Sequence, residues 1–327
     1  MIPRQSRSHL YAMRAEARPA SWKILLAFAI IYLVWGSTFL AIRVGVHEVP
    51  PFLLAGLRFF LAGLFLYGWM RVKGATPPSR REWAGIVLQG TLIFLVDYGC
   101  VFWAEQRVSS GITAVVLATI AIFITLLEIA ILQTQRLTVR LGLALLAGLC
   151  GVAVLMNRSL SFGEAPIDRA GALALLVASV CWSVATILTR RLALPASKPL
   201  SSGAQMLVGG VQLLVLAALT GEFSGFRIQA VSWTAWLALL YLIVAGSIIA
   251  FTAYIWLLHY ESPTKVGTYA YVNPVVAVLV GYFFGGESIG PRTVFGTILV
   301  LVSVIAISTM PKSVARRAVE LAEARAE

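Results

Sequence analysis

Apolar runs of about 20 residues recur from one end of this chain to the other, broken only by short segments carrying charge, proline or glycine, and nothing else in the sequence limits the possible folds as strongly. A hydrocarbon core about 30 Å thick is crossed by about 20 helical residues, each rising about 1.5 Å. Ten such runs occur, at 23–44, 52–70, 83–103, 110–132, 141–156, 171–189, 203–220, 233–258, 266–285 and 292–309. The breaks read as turns, among them His47-Glu48-Val49-Pro50-Pro51 and Ala104-Glu105-Gln106-Arg107. Backbone polar groups find no water in lipid, so only helices and closed barrels can span it, and the alternation of barrel strands is absent. Composition agrees: 59% of residues are apolar and 12% charged, with a mean hydropathy of +0.87. Soluble domains have about 45 to 50% and about 25%. The first run is too long for a cleaved signal peptide and no clean small-residue cleavage site follows it. The chain is therefore expected to be an all-α integral membrane protein with ten transmembrane helices.

The net charge of +12 could suggest nucleic acid, but the basic residues are dispersed over helix ends and tails, with no groove-binding module between them. Cytoplasmic short loops retain Lys and Arg. Placing the N-terminus in the cytoplasm leaves only Arg43, Arg107, Arg158, Arg169, Arg227 and Arg292 outside and Arg58 inside a span, with all other Lys and Arg in the cytoplasm. Both termini are then expected to be cytoplasmic, as tails at 1–22 and 311–327, in a multi-pass protein of the cell inner (plasma) membrane. Cys100, Cys150 and Cys181 all fall in apolar runs without a CxxC and read as packing residues.

Slid against itself, the sequence aligns Trp35 with Trp182, Arg43 with Arg190, Gly56 with Gly203 and Gly63 with Gly210. Two five-helix repeats result, at 23–156 and 169–310. Because five is odd, their first helices enter from opposite sides, giving inverted repeats around a central cavity that can open to either face.

Several motifs then stand in order: Trp35-Gly36-Ser37-Thr38-Phe39, Pro50-Pro51-Phe52-Leu53-Leu54-Ala55-Gly56-Leu57-Arg58-Phe59, Ala104-Glu105-Gln106 with Ser110-Gly111-Ile112, and Tyr269-Ala270-Tyr271-Val272-Asn273-Pro274-Val275-Val276 followed by Gly286-Glu287. Together they resemble the EamA family of the drug/metabolite transporter superfamily, in its YedA-like branch. The resemblance implies a ten-helix inner-membrane carrier that exports amino acids, other metabolites or drugs. It also implies a cavity lined by the first four helices of each half, with the fifth at the periphery. The chain departs from the family where the first half has Ala118-Thr119-Ile120-Ala121-Ile122 in the place of the segment around Pro274.

Ionisable groups inside spans are costly and need a partner or a wet cavity. Arg58 and Asp97 each lie about 9 Å below the outer end of their span. They could bind a charged solute, let protons couple transport through Asp97, or form an ion pair that locks two helices, and the structural lock is the preferred reading. Glu128, near the cytoplasmic end of its span, is expected to snorkel to the interface. Pro274 removes the hydrogen bond to the Ala270 carbonyl and is the candidate hinge, beside Tyr271 and Asn273. Aromatic side chains are many, including Tyr32, Phe39, Phe102 and Tyr254, and Trp and Tyr near helix ends are commonly interface anchors. Those deep in spans or beside motif residues, Trp35, Trp182, Tyr269 and Tyr271, join Arg58, Asp97, Tyr98 and Asn273 as candidate cavity residues.

His9, His47 and His259 form neither a triad nor a metal site, and there is no Gly-rich Lys-Ser/Thr loop, HExxH or GxSxG. No cofactor and no catalytic residue is called for. The expected partners are a small-molecule substrate, membrane lipids and, as a candidate coupling ion, the proton. Monomer and homodimer both stay open. A secondary carrier working by alternating access is the leading reading. The alternative is a membrane-embedded enzyme or lipid-handling protein acting on a lipid-linked substrate.

Overall fold

The computed structural model describes residues 19–108, 110–134, 136–156, 168–285 and 291–309. The two expected tails, apart from 19–22, and the connector carrying Gly286 and Glu287 lie outside the described residues. Helices in chain order are α1 (Ser21–Val46), α2 (Pro51–Val72), α3 (Arg80–Glu105), α4 (Ser110–Leu127, prolonged by Glu128–Leu132), α5 (Val139–Met156), α6 (Arg169–Leu188), α7 (Lys198–Leu219), α8 (Trp233–Tyr260), α9 (Tyr269–Gly285) and α10 (Pro291–Ser308). There is no strand among the described residues. By length and composition α1, α2, α3, α6, α7 and α8 can each cross a membrane. Shorter apolar stretches, Val116–Leu132, Val139–Val154 and Val294–Ile307, run through α4, α5 and α10.

Local chemistry starts and stops these helices. Ser79 and Glu82 form a reciprocal capping box ahead of α3, while the Asp168 carboxylate accepts from the Ala170 and Gly171 N–H groups at the start of α6. Pro51 occupies the first position of α2, where its missing N–H costs nothing. The prolonged end of α4 stops at Gln133, whose φ of 55° is left-handed and turns the chain out of the helix.

Large apolar side chains face outward: Leu25, Leu33 and Leu40 on α1, Leu64 and Phe65 on α2, Leu143 and Leu146 on α5. Such a surface is untenable in water and natural against acyl chains. Lipid is as apolar as leucine, so helices must associate through close packing and hydrogen bonds. The glycines that mark the repeat in the sequence supply that closeness. Gly63 of α2 lies against the Leu207 backbone, Gly210 of α7 against the Phe60 backbone, and Gly203 against Tyr67, so α2 and α7 cross in backbone contact. The other main contacts also come in matched sets. Helix α1 packs on α8 and α9, α6 packs on α3 and α4, and α5 lies along α10.

Polar contacts gather helix ends at one face. Glu48, after α1, accepts from the Ser232 N–H and hydroxyl at the head of α8, at 2.6 and 2.7 Å. Glu222, after α7, accepts from the Leu53 and Phe52 N–H groups at the head of α2, at 2.7 and 3.3 Å. Arg107, after α3, lies 3.9 Å from Asp168 at the head of α6. At the far end, Arg190 after α6 donates to the Glu261 carbonyl after α8, and Arg191 donates to the Ile131 carbonyl at the end of α4.

Candidate functional site

The middle of α3 and the middle of α8 both depart from the α-helix. Thr91–Tyr98 and Leu242–Ile249 wind as π-helix, at matching places in the two halves. A π segment shifts the carbonyl ladder by one residue, which re-aims side chains and frees carbonyls for other donors. In α8 the consequence is direct: the Trp35 indole N–H donates to the Gly246 carbonyl at 3.0 Å, and the Arg58 Nε donates to the Ser247 hydroxyl at 2.9 Å. In α3 the π segment carries Asp97 and Tyr98.

Between the halves lies a cavity whose wall is drawn from both of them. Helix α1 lines it with Trp35, Thr38, Phe39 and Ile42, and α3 with Asp97, Tyr98 and Val101. The remaining wall is Leu117 and Ile120 of α4, Trp182 of α6, and Tyr269, Ala270, Asn273 and Pro274 of α9. Among the described residues the fifth and tenth helices contribute nothing to it. Helices α2, α7 and α8 also stay out of the wall, which is narrower than the expected four helices of each half. Aromatic rings crowd one end. The Trp35 ring centroid is 4.9 Å from that of Tyr269, 5.2 Å from that of Tyr254 and 5.5 Å from that of Trp182. From this cluster the wall runs along Phe39, Ile42 and Val101 toward the face where Glu48 meets Ser232. The opposite side is packed shut. There the Tyr32 and Thr268 hydroxyls are 2.6 Å apart, and Glu128 accepts from the Thr264 N–H and hydroxyl at 2.8 and 2.7 Å.

Six of the residues expected from the sequence thus share one cavity: Trp35, Asp97, Tyr98, Trp182, Tyr269 and Asn273, with Pro274 beside them. Helix α9 is continuous through Pro274, whose ring leaves the Ala270 carbonyl without its usual ladder donor at the cavity wall. Two expected residues lie elsewhere. Tyr271 is fully buried against α5, where its hydroxyl donates to the Leu145 carbonyl at 3.1 Å. Successive helical residues step about 100°, so it points nearly opposite to Tyr269. Arg58 is 1% exposed and sits behind Tyr98, its guanidinium 5.1 Å from that ring centroid and 4.6 Å from that of Phe59. Its two terminal nitrogens take no partner among the described residues. The preferred ion pair with Asp97 is not formed, and the side chain reaches across to α8 instead. Glu128 does not snorkel. It is fully buried and also accepts from the Thr134 hydroxyl at 2.8 Å, because the turn Pro263–Val266 presents backbone and hydroxyl donors to it.

Sequence reasoning passed over two features. Tyr254, completely buried, closes the aromatic cluster and hydrogen-bonds to the Thr186 hydroxyl. It was one aromatic among many. The π segments leave no mark in the residue pattern, and their only cue is the correspondence of the two halves.

The chain matches the profile of the EamA-like transporter family twice, over residues 21–157 and 169–309. It is 37% identical over 262 residues to the uncharacterized inner membrane transporter YedA of Escherichia coli K12, spanning 79% of this chain and 82% of that relative. It is 26% identical over 277 residues to protein PecM of Dickeya dadantii, covering 84% and 88% of the two chains. It is 25% identical over 285 residues to the uncharacterized transporter YoaV of Bacillus subtilis, covering 85% and 94%. A crystal structure 22% identical in sequence superposes with a TM-score of 0.73, over 88% of this chain and 99% of that one, and shows the shared fold.

Proposed function

Because this chain belongs to the EamA-like transporter family, we propose that it is a secondary carrier of the inner membrane that moves a small metabolite or amphipathic compound by alternating access, in the direction of export. The observation that carries the reading is the cavity: its wall is drawn from both halves, and a relative movement of the halves would therefore remake it. Ten membrane passes in two inverted repeats, 23–156 and 169–310, complete the proposal. The two family matches support the repeat, and the matched helix contacts support its symmetry. The end contacts support the inversion, since the last turn of α1 and the first turn of α6 face the same side. With both termini in the cytoplasm, the described state opens outward and is sealed inward by Tyr32, Thr268, Glu128 and Thr264.

Proton coupling through Asp97 belongs to the same proposal. The carboxyl group is in the cavity and no cation among the described residues pairs with it, which leaves that role to a proton or a substrate. Purified protein in liposomes tests the whole reading. Counterflow of solute should be saturable, and cysteines placed at Thr38 and Thr268 should react with membrane-impermeant reagents from opposite sides, in proportions that substrate shifts. A protein that is folded and correctly inserted, yet whose labelling at both positions never responds to any transported solute, would sink alternating access.

A further inference from the structure

Among the described residues the cavity wall carries one acidic side chain and no basic one. Asp97 is 3% exposed, lines the wall, and receives neither a hydrogen bond nor an ion pair from any described residue. The titratable groups that sense its charge are Tyr98 and Cys100 on its own helix, Cys181 on α6, Tyr254 on α8 and Tyr269 on α9. All are neutral thiols or phenols at physiological pH. The nearest candidate for a countercharge, Arg58, lies outside the wall, behind the Tyr98 ring and bonded to Ser247. A buried charge left without a partner is expensive, and the protein offers none.

Around this carboxylate the wall is built of ring faces and edges, with Tyr98, Trp182, Trp35 and Tyr269 in one contiguous cluster. Aromatic faces attract cations, and more strongly once water is removed. Two fully buried polar atoms of the wall take no hydrogen bond, the acceptor Asn273 Oδ1 and the donor Trp182 Nε1, so the uncharged groups lean neither way and Asp97 alone sets the sign. In charge the wall is one-sided. An ammonium group finds a carboxylate, an amide carbonyl and π faces, whereas a carboxylate on the same solute would find no cation.

Resting on the transport reading above, we propose that this cavity selects organic monocations, amines with an aromatic or bulky apolar body, over zwitterionic amino acids and organic anions. Asp97 is the residue that makes the selection, with Trp35, Trp182 and Tyr269 holding the apolar body and sharing the charge.

The test uses solutes of one shape and three charges: phenethylamine, phenylalanine and 3-phenylpropanoate, with tetraphenylphosphonium as a bulkier cation. Equilibrium binding is measured on full-length protein in lipid nanodiscs. Phenethylamine or tetraphenylphosphonium should bind saturably and at least tenfold tighter than the zwitterion and the anion, and Asp97→Asn should remove at least tenfold of that preference while Asp97→Glu keeps part of it. Because the charge series runs on the unmodified protein, it decides even where a variant does not fold. Equal affinity for all three charges, no saturable binding of either cation, or a folded Asp97→Asn protein with unchanged cation affinity overturns the proposal. Failure of the transport reading looks different: cations bind with the stated preference, and no solute crosses the liposome.

Discussion

Replacing Gly210 or Gly63 by alanine probes the crossing of α2 and α7, on which the relative placement of the two halves depends. A Cβ at Gly210 would stand 2.3 Å from the Phe60 backbone nitrogen and 2.6 Å from its Cα, and one at Gly63 would stand 2.3 Å from the Leu207 nitrogen. Both contacts fall about 1 Å short of ordinary van der Waals separation. The obstructing atoms are backbone, so no side chain can swing aside and the two helices must part. Overpacking of this kind costs about 1 to 3 kcal/mol, against which alanine returns up to about 1 kcal/mol in helix propensity. The net expectation is a loss of about 1 to 2 kcal/mol for either variant. Once the helices have separated, the second methyl meets less resistance, so Gly63→Ala/Gly210→Ala should lose less than the sum of the two. Gly68 lies on the same helix as Gly63 and meets nothing within 4 Å, which makes Gly68→Ala the control. Thermal unfolding in one detergent, followed by intrinsic fluorescence, should rank Gly68→Ala at or above wild type and Gly210→Ala several degrees below. A Gly210→Ala protein as stable as Gly68→Ala would refute the backbone-contact account of this interface.

Two further outcomes follow from the ends of the bundle. The Ser232 N–H and hydroxyl hold the Glu48 carboxylate below its usual range. A lowered folded-state pKa means that the contact is whole at neutral pH and is lost as pH falls through that lowered value. Hydrogen exchange at the head of α8, corrected for the intrinsic rate, should therefore show protection that wild type loses only in acid and Glu48→Gln lacks throughout; identical profiles for the two would refute this. At the other face, Glu128→Ala strands the buried Thr264 N–H and hydroxyl, at a cost of about 3 kcal/mol. Its unfolding temperature should drop and a cysteine at Thr268 should label faster from the cytoplasmic side, whereas unchanged labelling would show that Glu128 has no part in closing that side.

The residue pattern alone determined that this chain is helical and lives in lipid, since runs of about 20 apolar residues leave no other solvent for it. It raised the repeat as an expectation, and the glycines that align between the halves are those at which α2 and α7 meet. It also picked out Asp97, Trp35, Trp182, Tyr269 and Asn273, because a charge, a large ring or an amide deep in a span must have a reason to be there. What it could not determine is direction. A helix surrounded by lipid and by equally apolar neighbours has no polar face to read, so which side of it looks inward is set by packing. Tertiary structure therefore decided that Tyr269 faces the cavity while Tyr271 faces α5, that Arg58 reaches Ser247 and leaves Asp97 alone, and that Glu128 is enclosed by the turn before α9. It decided the π segments as well, since one extra residue in a helical turn is a response to neighbouring helices and not a property of the run of residues that contains it.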